Sequence, residues 1–381
     1  LTLVSAPVLC EDVMWAALVE LCWRKGVGVT KTGLRGVCFL PTRRFLPAMA
    51  VLAAVAVLPG LVWGDDNQHR QAEPITFVFE NDLFSGQDRG YTNGAILTIF
   101  GGWQEVQAVE VAAQDRFTTW IDSLCRLDDP TRLRRRPLSF GQVMVTPEDL
   151  DRKEVVVNDL PYAGLLFGRV DYEYQTADQG EKFGLLLGVV GPSARAGEVQ
   201  RIVHEIVSSD EPQGWDNQLH DEPAINIDYE RMWKLYQAAD GAYAVDLSGY
   251  LGLGLGNVRT EVGGGLIGRW GLNLSALPNA VYKGGISSVP DIGNDRRRAW
   301  SFFITAGMEV TYLAYSVFLD GNLWEESHSV TRVPEQAAAF AGFGLASRRF
   351  RLNMVMVRTT KIYTEQKGHG GYGSLTLGWI F

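Results

Sequence analysis

Two polar clusters in this chain carry residue types that could do chemistry. The first is Glu80-Asn81-Asp82, followed by Asp88-Arg89 and then Tyr91-Thr92-Asn93-Gly94. Carboxylate, carboxamide and hydroxyl oxygens gathered at one hairpin are the ligand types a hard cation such as Ca²⁺ takes. The same residues also make an ordinary polar loop whose side chains cap their own backbone. The spacing is not that of an EF-hand loop. The second cluster spans 191–222. Here His204 sits on a short helical segment, and Gln200 precedes it by four residues, so both project from one face. Imidazole is the side chain best suited to take a proton near neutral pH.

Other chemistries lack their residues. There is no G-x-S-x-G elbow, no H-E-x-x-H and no set of thiolate metal ligands. A hydrolase built from these parts would activate water rather than form an acyl-enzyme. The other histidines have weaker settings. His69 precedes the first strand, His220 shares the 191–222 segment, His328 follows acidic residues in a turn, and His369 lies among glycines.

The elements that must position these residues are strands. The chain has 381 residues with 42 Gly, 11 Trp, 13 Tyr and 17 Phe, a bias that suits short twisted strands, tight turns and aromatic girdles. Alternating segments are expected as strands near 75–82, 91–101, 137–146, 162–174, 181–190, 223–235, 242–254, 258–270, 300–311, 314–323, 336–346, 349–361 and 371–381. Bacterial single-chain barrels use even counts, so one of these is surplus. The 300–323 region is the suspect, and twelve strands are expected. In the last segment Leu375, Leu377, Trp379 and Phe381 alternate with Ser374, Thr376 and Gly378. Apolar-out and polar-in is the pattern of a lipid-facing barrel strand. Ile75, Phe77 and Phe79 alternate with Thr76 and Glu80 in the same way, whereas Val355 and Val357 break the pattern of 349–361. The fold class expected is an all-β, antiparallel transmembrane barrel with short helices in its loops. Helical spacing marks 109–126 and 197–207, and the run Arg132–Arg136 is expected as a solvated turn.

Residues 1–40 form no recognisable element. Arg43-Arg44, the apolar run 45–62 and Gly64 fit a signal peptide over 41–64, leaving 65–381 as the barrel domain. Cys10, Cys22 and Cys38 precede the expected cleavage point, and Cys125 alone follows it. A net charge of -9 argues against a nucleic-acid partner. If the first strand runs outward, the turns 83–90, 147–161 and 191–222 all lie outside the cell. Both clusters then share one rim.

The motifs FENDLFSGQDRGYTNG (79–94), SFGQVMVTPEDL (139–150), LPYAG (160–164), LGVVGPSARAGEVQRIVHEIV (187–207), GWDNQLHDEP (214–223) and FLDGN (318–322) occur in order along the chain. Together they resemble the lipid A 3′-O-deacylase family of outer-membrane β-barrels. The resemblance implies a twelve-stranded barrel that removes 3′-linked acyl chains from lipid A of lipopolysaccharide. It implies Ca²⁺ as cofactor, with Asp82 the metal ligand, and a histidine-activated water. By motif, Asn81, Asp82 and Thr92 would be active-site residues, His204 the base, and Gln200 a residue shaping the pocket. Arg152 and Lys153 are candidates for the lipid A phosphates. The same loops bring Trp215 and Asp216, to which no role is assigned.

Two rivals remain on the sequence. An outer-membrane phospholipase of the serine type would need a His and Ser two residues apart on one strand, and none is found. A non-enzymatic binding or structural barrel is the other. A porin would need more strands, because a twelve-stranded barrel is narrow.

Overall fold

Inside a lipid core the backbone N–H and C=O groups have no water to bond, so a sheet that crosses must close on itself. This one closes. The computed structural model describes residues 74–82, 90–101, 103–105, 116–125, 132–207, 211–274, 277, 300–347 and 349–380. The expected signal peptide, the 1–40 extension and Phe381 lie outside them. In chain order the elements are β1 (Pro74–Asn81), β2 (Gly90–Ile99), β3 (Gln104–Glu105), α1 (Arg116–Leu124), β4 (Leu133–Arg135), β5 (Leu138–Thr146), β6 (Ala163–Gln175) and β7 (Gln179–Val190). Then come α2 (Ala196–Val207), β8 (Glu222–Asp240), β9 (Tyr243–Gly256), β10 (Arg259–Leu272), β11 (Trp300–Ser316), α3 (Val317–Asp320), β12 (Glu335–Ser347), β13 (Phe350–Thr359) and β14 (Gly370–Ile380).

Twelve strands form an antiparallel closed barrel. β1 pairs with both β14 and β2, β2 with β5, and β5 onward to β14 in sequence. The short β3 and β4 extend the sheet beside the far end of β6. The surplus strand is resolved where it was suspected: 300–316 is one long strand, and the rest of that region turns into α3.

Alternation sorts the two faces. On β11, Phe302, Ile304, Met308 and Val310 are exposed on the outer wall, while Phe303, Thr305 and Leu313 are buried inside. The lumen holds matched charges. Arg169 bonds both carboxylate oxygens of Asp171 and reaches Asp228 Oδ2 at 2.6 Å, and Arg269 pairs with Asp246. Val355 and Val357 are a correction to the simple polar-in pattern. They are buried in an inward-facing cluster with Tyr250, Ile267, Phe340 and Tyr372. A narrow barrel can fill its interior with side chains, and apolar ones serve where packing rather than pairing closes the space.

The basic run is also corrected. It is not a solvated turn: Arg134 is fully buried against Asp122 Oδ2 at 2.6 Å, and Arg135 pairs with Glu173 while stacking over Phe100 and Trp103. Arg136 lies over the Tyr172 ring. The Arg134–Asp122 pair, with the Tyr174 hydroxyl donating to Asp122 Oδ1, pins α1 to the outer faces of β5 and β6, where Ile121 packs with Leu138, Val170, Tyr172 and Tyr174. Trp120 of the same helix is exposed. Cys125 is half-buried beside this cluster, its thiol 3.3 Å from Glu181.

Removing one partner from a fully buried ion pair leaves the other charge uncompensated, at a cost of about 3–5 kcal/mol. Arg169 keeps Asp228 Oδ2 at 2.6 Å, so Asp171→Ala should lower barrel stability by less than that, about 1–3 kcal/mol, in denaturant titrations in micelles. A variant of unchanged stability would mean that Asp228 or water takes over the bonds Asp171 makes.

Candidate active site

Strand register carries the first cluster around the wall. Asn81 stands opposite Asn93, Asn93 opposite Met144, and Met144 opposite Gly164. All four fall on the outward phase of their strands, in step with Phe77 and Phe79 rather than with buried Val78 and Glu80. The row crosses β1, β2, β5 and β6, about 14 Å at the usual strand spacing. Asp82 follows Asn81 at the end of β1 and is buried. Thr92 lies in β2 at a register break between Gly90 and Asn93. Asp88 and Arg89 lie outside the described residues.

The second cluster arrives at the same rim and the same face. Gly191 N donates to Gly164 O, and Gln142 Nε2 donates to Ala194 O at 2.7 Å. Gly164 is needed here for close approach: a Cβ would fall 2.4 Å from that of Ala196. The start of α2 thus lies directly on the outer wall, where Ala196 packs with Met144, Tyr162 and Trp215. Glu198 in the first turn favours the helix dipole.

α2 is turned the opposite way from a helix on a soluble protein. Its protein-facing line is Ala196, Gln200 and His204, each four residues apart; Ala196 and Gln200 are buried and His204 half-buried. Its apolar residues Val199, Ile202 and Val203 are 38%, 49% and 38% exposed. On a wall that faces lipid, an apolar stripe pointing away from the protein is the stable arrangement.

Gln200 does not stand alone. Its Oε1 accepts a 2.7 Å bond from the Trp215 indole N–H, and the Tyr162 and Trp215 rings lie 5.1 Å apart. Sequence reasoning had the GWDN segment but gave Trp215 no role; its neighbouring glycine, which lets Tyr162 close over the turn, was the available signal. Burial raises the Tyr162 phenol above its usual range, and Asp149 and Asp151 add to the effect. Arg152 and Lys153 are exposed on the adjoining 147–162 loop. Arg152 lies 3.6 Å from Asp149, and Asn217 Nδ2 holds the Lys153 carbonyl. The two loops are joined by Gln213 N to Leu150 O and Leu219 N to Tyr162 O.

A cavity of about 180 Å³ lies elsewhere, inside the mouth of the barrel, with Glu148, Asp159, Arg259, Glu309 and Tyr372 in its lining. Among the described side chains, none of the expected site residues lines it. Above it the loops interlock: Tyr363 OH donates to Asp159 Oδ1 at 2.7 Å and His328 Nε2 to Asp159 O at 2.8 Å. Asn81, Asn93 and the seat of α2 over Gly164 therefore share the outer wall, while described loops interlock above the cavity.

The family model for the outer membrane protein LpxR matches residues 46–381. The chain belongs to the LpxR family. The fold is similar to that of LpxR from Salmonella typhimurium, at 14% identity and a TM-score of 0.66, covering 81% of this chain and 100% of that one. Looser matches are the β domain of the Bordetella autotransporter BrkA (9% identity, TM-score 0.39, 82% and 99% covered) and an outer membrane channel from Pseudomonas putida (14%, 0.37, 84% and 99%). No curated protein matches the chain. LpxR is the lipid A 3′-O-deacylase family that the motifs resemble, so this chain is a hydrolase of that family in the bacterial outer membrane.

Whether an LpxR wall could hold a cation is a question of donor chemistry. Asp82 offers a buried carboxylate, and Asn81 and Asn93 face each other as carboxamides on adjacent strands. These are hard oxygen donors and fit Ca²⁺ in kind. Among the described residues no three His, Cys, Asp or Glu side chains group as a metal cluster.

Two outcomes follow from this packing. Gly164→Val should push α2 off the wall, so protease should cut at Arg195 and Arg201 sooner while the barrel still inserts; unchanged cleavage would mean α2 can shift without loosening. Burial, then the bond to Asp159, raises the Tyr363 phenol. Opened loops would ionise it near its ordinary value of about 10. Loop closure is thus unaffected below that pH and weakens as pH rises above it. Hydrogen exchange in 147–162 should accelerate above about pH 10, and Tyr363→Phe should remove its own part of that dependence.

Proposed function

We propose that this LpxR-family barrel removes 3′-linked acyl chains from lipid A by Ca²⁺-assisted attack of a water activated by His204, on the outward-facing rim. The observation that carries the reading is the register row from Asn81 to Gly164, because it joins the oxygen cluster and the seat of α2 on one face of one rim. His204 lies eight residues beyond Ala196, roughly 12 Å along the helix axis, a reach comparable to the width of the row.

In this reading His204 takes the proton of the attacking water, and Gln200 shapes the pocket one turn earlier. Asp82 would hold the cation, with Asn81 and Thr92 beside it. Bound there, Ca²⁺ would supply stabilisation of the negative charge that develops on the ester oxygen. Arg152 and Lys153, exposed on the neighbouring loop, would meet the phosphates of the lipid A headgroup. The outward apolar stripe of α2 lets the acyl chains of an outer-leaflet lipid lie against the site without leaving the membrane. A site opening laterally onto lipid suits an ester buried at the headgroup boundary better than a site inside the plugged lumen.

The test is mass spectrometry of lipid A from cells expressing the protein. Lipid A should lose its 3′ acyl group with Ca²⁺ present and keep it under chelation. His204→Ala should cut deacylation by about 10²-fold or more while the barrel still inserts. Unchanged lipid A in the wild type would favour a binding barrel instead, and activity surviving His204→Ala would place the base elsewhere.

A further inference from the structure

The contact between Trp215 and Gln200 decides more than packing. An indole has one polar atom, and it only donates. Its Nε1–H meets Gln200 Oε1 at 2.7 Å, and Gln200 and Trp215 are 3% and 8% exposed. A donor-only partner fixes which end of the amide faces it, so the amino end of Gln200 must turn the other way. That amino group, Nε2, is buried and has no hydrogen-bond partner among the described residues. The indole is held from both sides. The Tyr162 ring lies 5.1 Å from it, and Gly197 of α2 comes so close that a Cβ there would fall 2.9 Å from the ring.

We infer that Trp215 is a positioning residue: it locks Gln200 so that Nε2 is a standing donor for an oxygen acceptor of the lipid. A buried amide N–H is costly to leave without an acceptor, so a complementary oxygen is the occupant this site fits. The oxygen belongs to the ester undergoing cleavage or to a headgroup phosphate. A donor-only group such as an ammonium does not fit. The inference rests on the reading above, because Gln200 stands one helical turn before His204 on the same face. A donor fixed before the substrate arrives needs no reorganisation during reaction, which is where such groups gain their effect.

The full chain, purified in detergent and assayed on lipid A with Ca²⁺, tests it. Trp215→Phe keeps the ring and removes the N–H, and kcat/KM should fall about tenfold. Gln200→Met removes the donor and should lose at least as much. The double variant should be no worse than Gln200→Met alone, because Trp215 acts only through Gln200. A fall confined to kcat assigns the acceptor to the reacting ester, and a rise confined to KM assigns it to the phosphate. Additive losses in the double variant would overturn the inference, as would full activity in Trp215→Phe. A second readout does not need activity. With isotope-labelled tryptophan, the indole N–H resonance of Trp215 should move in Gln200→Met and stay in place in His204→Ala. An unmoved resonance in Gln200→Met overturns the lock even if a Trp215 variant fails to fold. A wild type that deacylates nothing would overturn the enzymatic reading and the lipid acceptor with it, while the resonance would still decide whether Trp215 orients Gln200.

Discussion

The closed ladder of interstrand hydrogen bonds is the constraint on which everything else in this protein depends. In lipid no strand edge can be left open, so β14 must return to β1, and the pairing from Pro74↔Ile380 to Asn81↔Gly373 seals the wall. Closure fixes register, and a side-chain period of two makes register decisive. A slip of one residue would send every lipid-facing side chain into the lumen and every lumen charge into lipid. Arg169, Asp171, Arg269 and Asp246 could not survive that exchange.

Once the register is fixed, the two faces take different solutions to burial. Inside, charges are paired and the remaining space is filled by Tyr250, Phe340, Val355 and Val357. The loops add a second plug, with Asp159 serving both Tyr363 and His328. Outside, the wall is not bare. α1 is pinned there by the Arg134–Asp122 pair, and α2 is seated over Gly164. A filled interior and a decorated exterior leave Asn81, Asn93 and the seat of α2 together on the wall. The outer wall is the surface at which a lipid arrives without having to cross the barrel.

The candidate site is a composite. β1 and β2 bring oxygen donors, β5 and β6 bring the seat, and the 191–221 loop brings α2 and then folds Trp215 back against it. No one of these segments is a site by itself. Cohesion comes from small residues and matched polar atoms: a glycine where the helix touches the strand, an indole N–H where an amide carbonyl needs a donor. Rigid seating of this kind is what a preorganised polar group requires.

The sequence by itself determined the barrel. Alternation in 371–381 and 75–82, the strand count and the crowding of polar residues into alternate turns were all legible, because period two and turn chemistry are local properties. It also marked the helix that bears His204 and Gln200. The tertiary structure alone decided which way that helix faces, since an apolar stripe reads the same whether it meets a core or a membrane. It alone decided that Arg134 and Arg135 are buried rather than solvated, because Asp122 and Glu173 lie 12 and 38 residues away in sequence. The partnership of Gln200 with Trp215 was hidden for the same reason. A hydrogen bond between two loops depends on how the loops are brought together, and that is settled only when the sheet beneath them closes.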